Sequence, residues 1–259
     1  MLVPDTQLTG QDKVDMTNDE LCIVSWNCAG GLRNKWHTLD ELEADLLVIQ
    51  ECEDPALAGD PSYLEWAGHY IWTGPTKNKG IGVFARNGLQ LEQELLELGG
   101  LQFFLPCRVN GDWPLLATWT AGTETKASQY IGQLWQFLQG HKEFLNHPRA
   151  MVVGDLNSNT IWDKHYRGRS HSDVVQVLSG EGLESAYHRH FDEAQGEETR
   201  HTFFLHRNSA KKYHIDYAFL GSLWIEQHVE IGTVDKWLEF SDHMPISVVT
   251  RRVVTKAND

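Results

Sequence analysis

Short apolar runs separated by turn residues recur along most of this chain. They are typical of β-strands, and we predict strands at residues 21–26, 46–50, 80–85, 101–109, 114–119, 150–155, 202–205, 213–220 and 246–252. Many connections between these runs are too short for the crossovers that parallel strands need. The pattern therefore predicts mixed sheets rather than a fully parallel one.

Helical periodicity appears between several of these strands. A helix predicted at 128–139 is followed by Gly140, which we take as its stop. Its apolar residues follow the spacing of one helix face: Ile131, Leu134, Trp135 and Leu138. Further helices are predicted at 36–45 and 171–182. This mixture favours an α/β fold in which two mixed sheets pack face to face with helices outside.

The chain shows no internal boundary. Its 259 residues permit one large domain or two small ones. Because no repeat or linker divides the sequence, we predict a single domain at 20–255. Residues 1–19 are polar and lack periodicity, which predicts a mobile N-terminal tail.

The net charge is strongly negative and unevenly distributed. The 36 acidic residues outnumber the 22 lysines and arginines, giving −14, which argues against a protein that coats nucleic acid without specificity. Residues 1–65 contain 14 acidic and three basic residues, whereas residues 161–171 and 199–214 are basic. We therefore expect basic loops on an otherwise acidic surface.

The cysteines and the N-terminus bear on the compartment. The four cysteines form no CxxC pair, which favours a reducing environment. The N-terminal segment lacks the features of a secretory signal, and no apolar run approaches the roughly 18 residues of a membrane span. These observations predict a cytoplasmic protein with no membrane segment.

Polar side chains follow or precede four of the predicted strands. Asn27 and Glu51 each follow a strand, Asp155 and Asn157 follow a third, and the pair 242–243, Asp then His, precedes the last strand. Each alone is commonly a turn or capping residue. Together they form a set of hard ligands that suits Mg²⁺ or Mn²⁺ better than zinc. The joint pattern predicts a catalytic metal site.

Six segments carry a family resemblance: SWNCAGG, VIQECE, VVGDLNSN, HTFF, HIDYAFL and SDHMPI. They resemble the endonuclease/exonuclease/phosphatase superfamily, which includes DNase I, exonuclease III and related abasic-site endonucleases. The likeness runs from residue 21 to residue 249. It implies a four-layer α/β/β/α sandwich, in agreement with the two-sheet pattern.

The resemblance implies a metal-binding part of the site. Glu51 matches the principal metal-binding glutamate, and Asn27 matches the asparagine that supports the metal and the phosphate. Asp242 matches an aspartate near the metal. The implied cofactor is Mg²⁺, with Mn²⁺ as a substitute.

The resemblance also implies a catalytic part. Asp155 matches the aspartate that activates the attacking water, and Asn157 matches the asparagine that holds a phosphate oxygen. His243 matches the histidine beside the scissile phosphate, and Asp216 the aspartate that hydrogen-bonds it. We favour Asp155 as the base and His243 as a stabiliser of charge, although the residue types leave both roles open for His243.

The substrate is less well defined than the chemistry. Where exonuclease III-like enzymes supply a tyrosine, this chain has Trp119 or Thr120, and we expect Trp119 to contact substrate. The basic loops supply four expected phosphate contacts: Arg167, Arg169, Lys211 and Lys212.

These features predict a metal-dependent nuclease acting on nucleic acid, DNA before RNA, without an obligate protein partner. The alternative is a phosphatase or small-molecule phosphodiesterase, which the charge of −14 favours. A binding protein that has lost catalysis is a third reading, which the complete set of polar residues opposes.

Overall fold

The computed structural model describes residues 20–122, 130–166 and 168–252. The tail predicted at residues 1–19 lies outside these ranges. The strands of the described part of the chain form two six-stranded sheets and a two-stranded hairpin. None of its helices has the length and apolar content to cross a membrane.

The first sheet contains the N-terminal and C-terminal strands of the described chain. In spatial order its strands are β13 (Trp224–Ile231), β14 (Ile246–Arg252), β1 (Glu20–Asn27), β2 (Leu46–Cys52), β4 (Lys79–Ala85) and β3 (His69–Thr76). Only the β1–β2 pair is parallel within this sheet. The sheet is therefore mixed, as predicted.

The second sheet is also mixed. In spatial order its strands are β5 (Leu91–Gln93), β6 (Phe104–Val109), β7 (Trp113–Trp119), β8 (Met151–Asp155), β12 (Asp216–Gly221) and β9 (Leu183–Ser185). Its β7–β8 pair is parallel and the others are antiparallel. The separate hairpin consists of β10 (Phe203–Phe204) and β11 (Lys212–Tyr213).

Successive side chains along each strand point to opposite faces of the sheet, which produces the layers of the fold. On β1, Ile23 packs in the cluster between the sheets, whereas its neighbour Val24 packs on the outer face. On β8, Val153 faces inward and Val152 outward. Since both faces of each sheet are apolar, both must be covered.

Helices cover the two outer faces. Their bounds are α1 (Pro61–Ala67), α2 (Ile131–Leu145), α3 (His171–Gly180), α4 (Ala186–Phe191) and α5 (Val234–Trp237). The first sheet is covered by α1, α5 and a 3₁₀ helix at Trp36–Leu42, and the second by α2 and α3. The expected four-layer α/β/β/α sandwich is confirmed.

Several predicted elements differ in extent. The regular part of α2 ends after Gly140, as predicted, because His141 has a non-helical φ of −137°, and a further helical stretch beyond this kink continues to the buried Leu145. The helix predicted at 36–45 is a shorter 3₁₀ helix, which ends where Glu43 adopts a left-handed φ of 46°. Strand β6 starts at Phe104 because Phe103 has a φ of 62°.

Candidate active site

The candidate site lies at one end of the inner layer, where inward-facing positions change from apolar to polar. On β1 the inward series ends in Asn27, and on β8 it ends in Asp155. On β12, Asp216 is the register partner of Asp155. Three strands from two sheets therefore deliver polar side chains to one place, as the sequence predicted.

The carboxylate of Asp155 is fully buried and accepts three hydrogen bonds. The Asn27 Nδ2 donates to its Oδ2 over 3.0 Å. The backbone N–H of Asn157 donates to Oδ1, and the Asn157 Nδ2 to Oδ2, both over 2.8 Å. Asn157 Nδ2 also donates to the carbonyl of Thr120 at 2.9 Å. Asn157 thus orients Asp155, and its contact with a phosphate oxygen stays a prediction.

His243 and Asp216 form a buried pair. The Nδ1 of His243 lies 3.0 Å from Oδ2 and 3.2 Å from Oδ1 of Asp216. The other ring nitrogen, Nε2, lies 4.0 Å from Oδ2 of Asp155. The imidazole therefore stands between two carboxylates, with Nδ1–H donating to Asp216. The structure brings these three predicted residues together.

Burial and charge change the proton affinity of both acid–base groups. Burial raises the pKa of Asp155 to about 7, an effect to which Asp216 adds and which His243 partly offsets. Burial alone would lower the pKa of His243, but Asp216 and Asp155 outweigh it and raise that pKa to about 9. Near neutral pH the histidine is a cation, and Asp155 has the proton affinity expected of a general base.

The loop that carries His243 is tied to β1. Ser241 Oγ donates to the carbonyl of Asn27 at 2.7 Å and accepts from the backbone N–H of His243 at 3.0 Å. The indole of Trp26 donates to the carbonyl of His243 at 2.9 Å. These bonds explain the serine of the SDH motif, which positions the histidine.

Thr202 was missed as a functional position although the HTFF segment was noted. Its buried hydroxyl accepts from the backbone N–H groups of Ile215 and Asp216, at 3.0 and 3.1 Å. The following Phe203 packs its ring against His243, with centroids 4.6 Å apart. This strand therefore supports both members of the Asp216–His243 pair.

Glu51 reaches the site through a bulge. The register of β2 against β4 shifts between Gln50 and Cys52, and Glu51 has a left-handed φ of 61°. Strict alternation would turn this side chain away from Asn27, but its Oε1 lies 3.3 Å from Asn27 Nδ2. Its Oε2 forms an ion pair with Lys79 Nζ at 2.9 Å, a contact that the sequence analysis did not anticipate.

The donor chemistry near Glu51 fits a hard divalent cation. The carboxylate is partly exposed, at 21% of its side chain, and already pairs with one cation, Lys79. Asp242 is half-buried and next to His243. A second group, formed by Asp155, Asp216 and His243, offers ligand atoms within 4.8 Å of one another. In this second group Nδ1 of His243 is already hydrogen-bonded to Asp216, and metal binding by Glu51 stays a prediction.

The side chains that are expected to contact substrate differ in their burial. Trp119 is 94% buried at the end of β7, against Phe103 and beneath Lys79. Lys211 and Lys212 are exposed near the hairpin that supports His243, and Arg169 is half-buried. Arg167 lies outside the described residues. Contact of these side chains with substrate stays a prediction.

An aromatic cleft of about 290 Å³ adjoins Asn157. It is lined by Tyr130, Trp162, His165 and Tyr166 as well as Asn157. Trp162 also packs against Tyr213, with ring centroids 5.1 Å apart. Flat apolar side chains thus border the catalytic groups on this side.

A family model described as the Endonuclease/Exonuclease/phosphatase family matches residues 24–243. The chain belongs to this family. It is a hydrolase that acts on phosphate esters, and the resemblance seen in the sequence is confirmed. No curated protein matched the chain.

Solved structures show the same fold at low identity. A humanized D. rerio TDP2 with 14 mutations superposes with a TM-score of 0.63 at 18% identity, covering 90% of this chain and 99% of that one. The 3′ phosphatase NExo (D146N) from Neisseria, bound to product DNA hairpin, gives 0.66 at 18%, covering 88% and 98%. The AP endonuclease LMAP from Leishmania major gives 0.65 at 14%, covering 97% and 93%.

Proposed function

We propose that this chain is a divalent-metal-dependent nuclease that hydrolyses phosphodiester bonds of DNA. The observation that carries the proposal is the buried series Asp155–His243–Asp216, joined through Asn27 to the partly exposed carboxylate of Glu51. This arrangement supports the proposal that a base, a cation and a metal-binding carboxylate act around one position.

Each residue has a chemical role in this proposal. Asp155 accepts a proton from the attacking water, because its raised pKa makes it a base near neutral pH. The cationic His243 stabilises negative charge that develops on the phosphoryl oxygens, and Asp216 holds its ring in place. Asn27 and Asn157 fix the direction of the Asp155 carboxylate. A Mg²⁺ or Mn²⁺ ion held by Glu51, with Asp242 nearby, would supply further charge neutralisation at the ester.

The surroundings of the site favour a polynucleotide. The cleft beside Asn157 is lined by aromatic rings on which bases can stack. Lys211 and Lys212 are exposed near the hairpin that packs on His243. The NExo neighbour was solved with a product DNA hairpin, which supports the choice of DNA.

A phosphatase or small-molecule phosphodiesterase is the second candidate. The observation that favours it is the net charge of −14, because a long polyanion is repelled everywhere except at the basic loops. The two candidates share the same reaction centre and differ in what surrounds it.

Substrate panels with and without metal test the proposal. Purified protein is incubated with plasmid, short single-stranded DNA, RNA and inositol phosphates, in Mg²⁺, Mn²⁺ or EDTA. We expect DNA cleavage that EDTA abolishes and that Asp155→Asn protein, purified in parallel, does not show. Activity only on inositol phosphates would favour the second candidate. Full activity in EDTA would show that cleavage does not require a divalent metal ion.

A further inference from the structure

Lys79 occupies a specific position in the site. Its Nζ lies 2.9 Å from Oε2 of Glu51 and 5.2 Å from the ring centroid of Trp119. It is the first residue of β4, whose inward-facing residues include Ile81 and Val83. The ammonium group therefore lies between the ends of the two sheets. It is above the indole ring of Trp119 from the second sheet and beside the carboxylate of Glu51 from the first.

The backbone beneath Lys79 is held firmly. A Cβ added at Gly80 would lie 2.3 Å from the carbonyl oxygen of Thr73 and from the ring of Trp72, so only glycine fits there. The Trp72 indole donates to the carbonyl of Cys52 at 3.2 Å. The β3–β4 hairpin is thus locked onto the strand that carries Glu51, and the position of Lys79 follows from that packing.

Stability alone gives little reason for a lysine here. Half of its side chain is exposed, and such ion pairs contribute little to folding. The indole adds a cation–π contact, which favours one location for the ammonium group. Exposure also leaves the ammonium N–H donors that do not face Glu51 accessible to a ligand.

We propose that Lys79 is a further substrate-binding residue of this centre and that Trp119 is its positioning residue. The ammonium group neutralises Glu51 in protein without a bound divalent cation. When such a cation occupies Glu51, Lys79 is repelled from it and donates to a phosphate oxygen of the substrate. This inference rests on the proposed function, because it assigns the phosphate a place beside Glu51.

Two binding measurements test the assignment without turnover. Mn²⁺ affinity is measured by electron paramagnetic resonance, and the affinity of the Mn²⁺-loaded protein for inorganic phosphate by calorimetry. In Lys79→Met we expect Mn²⁺ to bind about three- to tenfold more tightly, because a competing cation is gone, and phosphate to bind about tenfold more weakly. Trp119→Leu should weaken phosphate binding in the same direction and by less.

Lys77→Met is the matched control, since Lys77 is an exposed lysine two residues away on the same turn. It should leave both affinities unchanged. If Lys79→Met and Lys77→Met give the same Mn²⁺ and phosphate affinities as wild type, the assignment of Lys79 is wrong. If wild type hydrolyses no ester while Lys79→Met still loses phosphate affinity, the proposed function fails and the Lys79 site stands.

Discussion

Asp155 and Asp216 are register partners on neighbouring antiparallel strands, and His243 reaches both carboxylates. One ring nitrogen is hydrogen-bonded to Asp216 and the other faces Asp155 at 4.0 Å. Two buried carboxylates this close repel each other unless a cation lies between them. The imidazolium therefore stabilises the ionised pair, and this dependence makes the three residues a single unit.

The first prediction concerns that unit. Asp216→Asn should lower the pKa of His243 and leave its ring less firmly oriented. Turnover at saturating Mg²⁺ should fall by about 10- to 100-fold, the usual cost of losing such a partner. His243→Ala should lose more, because it removes the group that is proposed to act on the phosphate.

The double variant shows whether the two residues act together. Asp216→Asn combined with His243→Ala should be no slower than His243→Ala alone, since orienting an absent ring has no effect. The measurement is the turnover number of wild type, both single variants and the double. Multiplicative losses would mean that Asp216 acts independently of His243, and its role would then be reassigned.

The second prediction concerns Glu51. Glu51→Gln removes the negative charge and should weaken Mn²⁺ binding, so that activity recovers in excess metal. Glu94→Gln is a suitable control, because Glu94 is an acid paired with Arg108 elsewhere on the protein. Unchanged Mn²⁺ affinity in Glu51→Gln would remove this residue from the metal ligands.

The structure brings together candidate residues that the sequence placed at the ends of apolar strands. Asn27 and Asp155 end inward-facing series that begin with apolar residues, so their convergence follows from strand alternation and sheet packing. Glu51 is different, because alternation would turn it outward, and the bulge that brings it to Asn27 depends on pairing with β4. Its place after a predicted strand made it a candidate site residue, but the bulge that turns it toward Asn27 could not be read from the alternation pattern.

Elements at the sheet edges were harder to predict. Strands β3 and β13 contain mostly half-buried or exposed residues, since each forms the edge of the first sheet, and their pattern lacks an apolar run. Because the sequence pattern does not predict β3, it does not predict the β3–β4 hairpin either. This hairpin places Lys79 beside Glu51. The helical stretch beyond the kink at His141 buries Leu145, a tertiary contact that lies outside the apolar spacing seen before Gly140.

The third prediction concerns Gly154, which precedes Asp155. It has a φ of +149°, and an added Cβ would lie 1.8 Å from the carbonyl oxygen of Thr118 on β7. Gly154→Ala should lower the free energy of unfolding by about 2–4 kcal/mol and reduce activity, because β8 must move. Gly140→Ala is the control: Gly140 is exposed with open space around it, and alanine there should stabilise by about 0.5–1 kcal/mol. Urea denaturation measures both, and an unaffected Gly154→Ala would contradict the packing described.

The fourth prediction concerns the basic loops. Replacing Lys211 and Lys212 with alanine should weaken DNA binding and reduce the slope of log affinity against log salt by roughly 0.7–0.9 per lost phosphate contact. Hydrolysis of bis-p-nitrophenyl phosphate should be unchanged, because so small an ester reaches only the catalytic groups. Arg251→Ala, near the far end of β14 from His243, removes one positive charge and is the control for each single lysine variant. Equal losses on both substrates would mean that these lysines support the site itself.

The last prediction concerns two buried histidines, His171 and His214, that pack against Tyr217. Burial lowers the pKa of each to about 4, below the ordinary value of 6.5. Between those values the unfolded chain binds more protons than the folded one, so each histidine makes stability fall as pH decreases from about 6.5 to 4. Asp155 makes stability increase as pH decreases over the same range, because its pKa is raised to about 7 in the folded protein.

The pH dependence of the free energy of unfolding in the wild type therefore contains opposing contributions. Comparison with a variant that lacks one histidine isolates the contribution of that histidine. His171→Gln should reduce the loss of unfolding free energy between pH 6 and pH 5 by about 1 kcal/mol relative to wild type. Urea denaturation at pH 7.5, 6 and 5 measures this difference. His69→Gln, at an exposed position, should leave the wild-type pH dependence intact. If His171→Gln loses as much stability as wild type over this interval, His171 is protonated in the folded protein and the effect assigned to its burial is wrong.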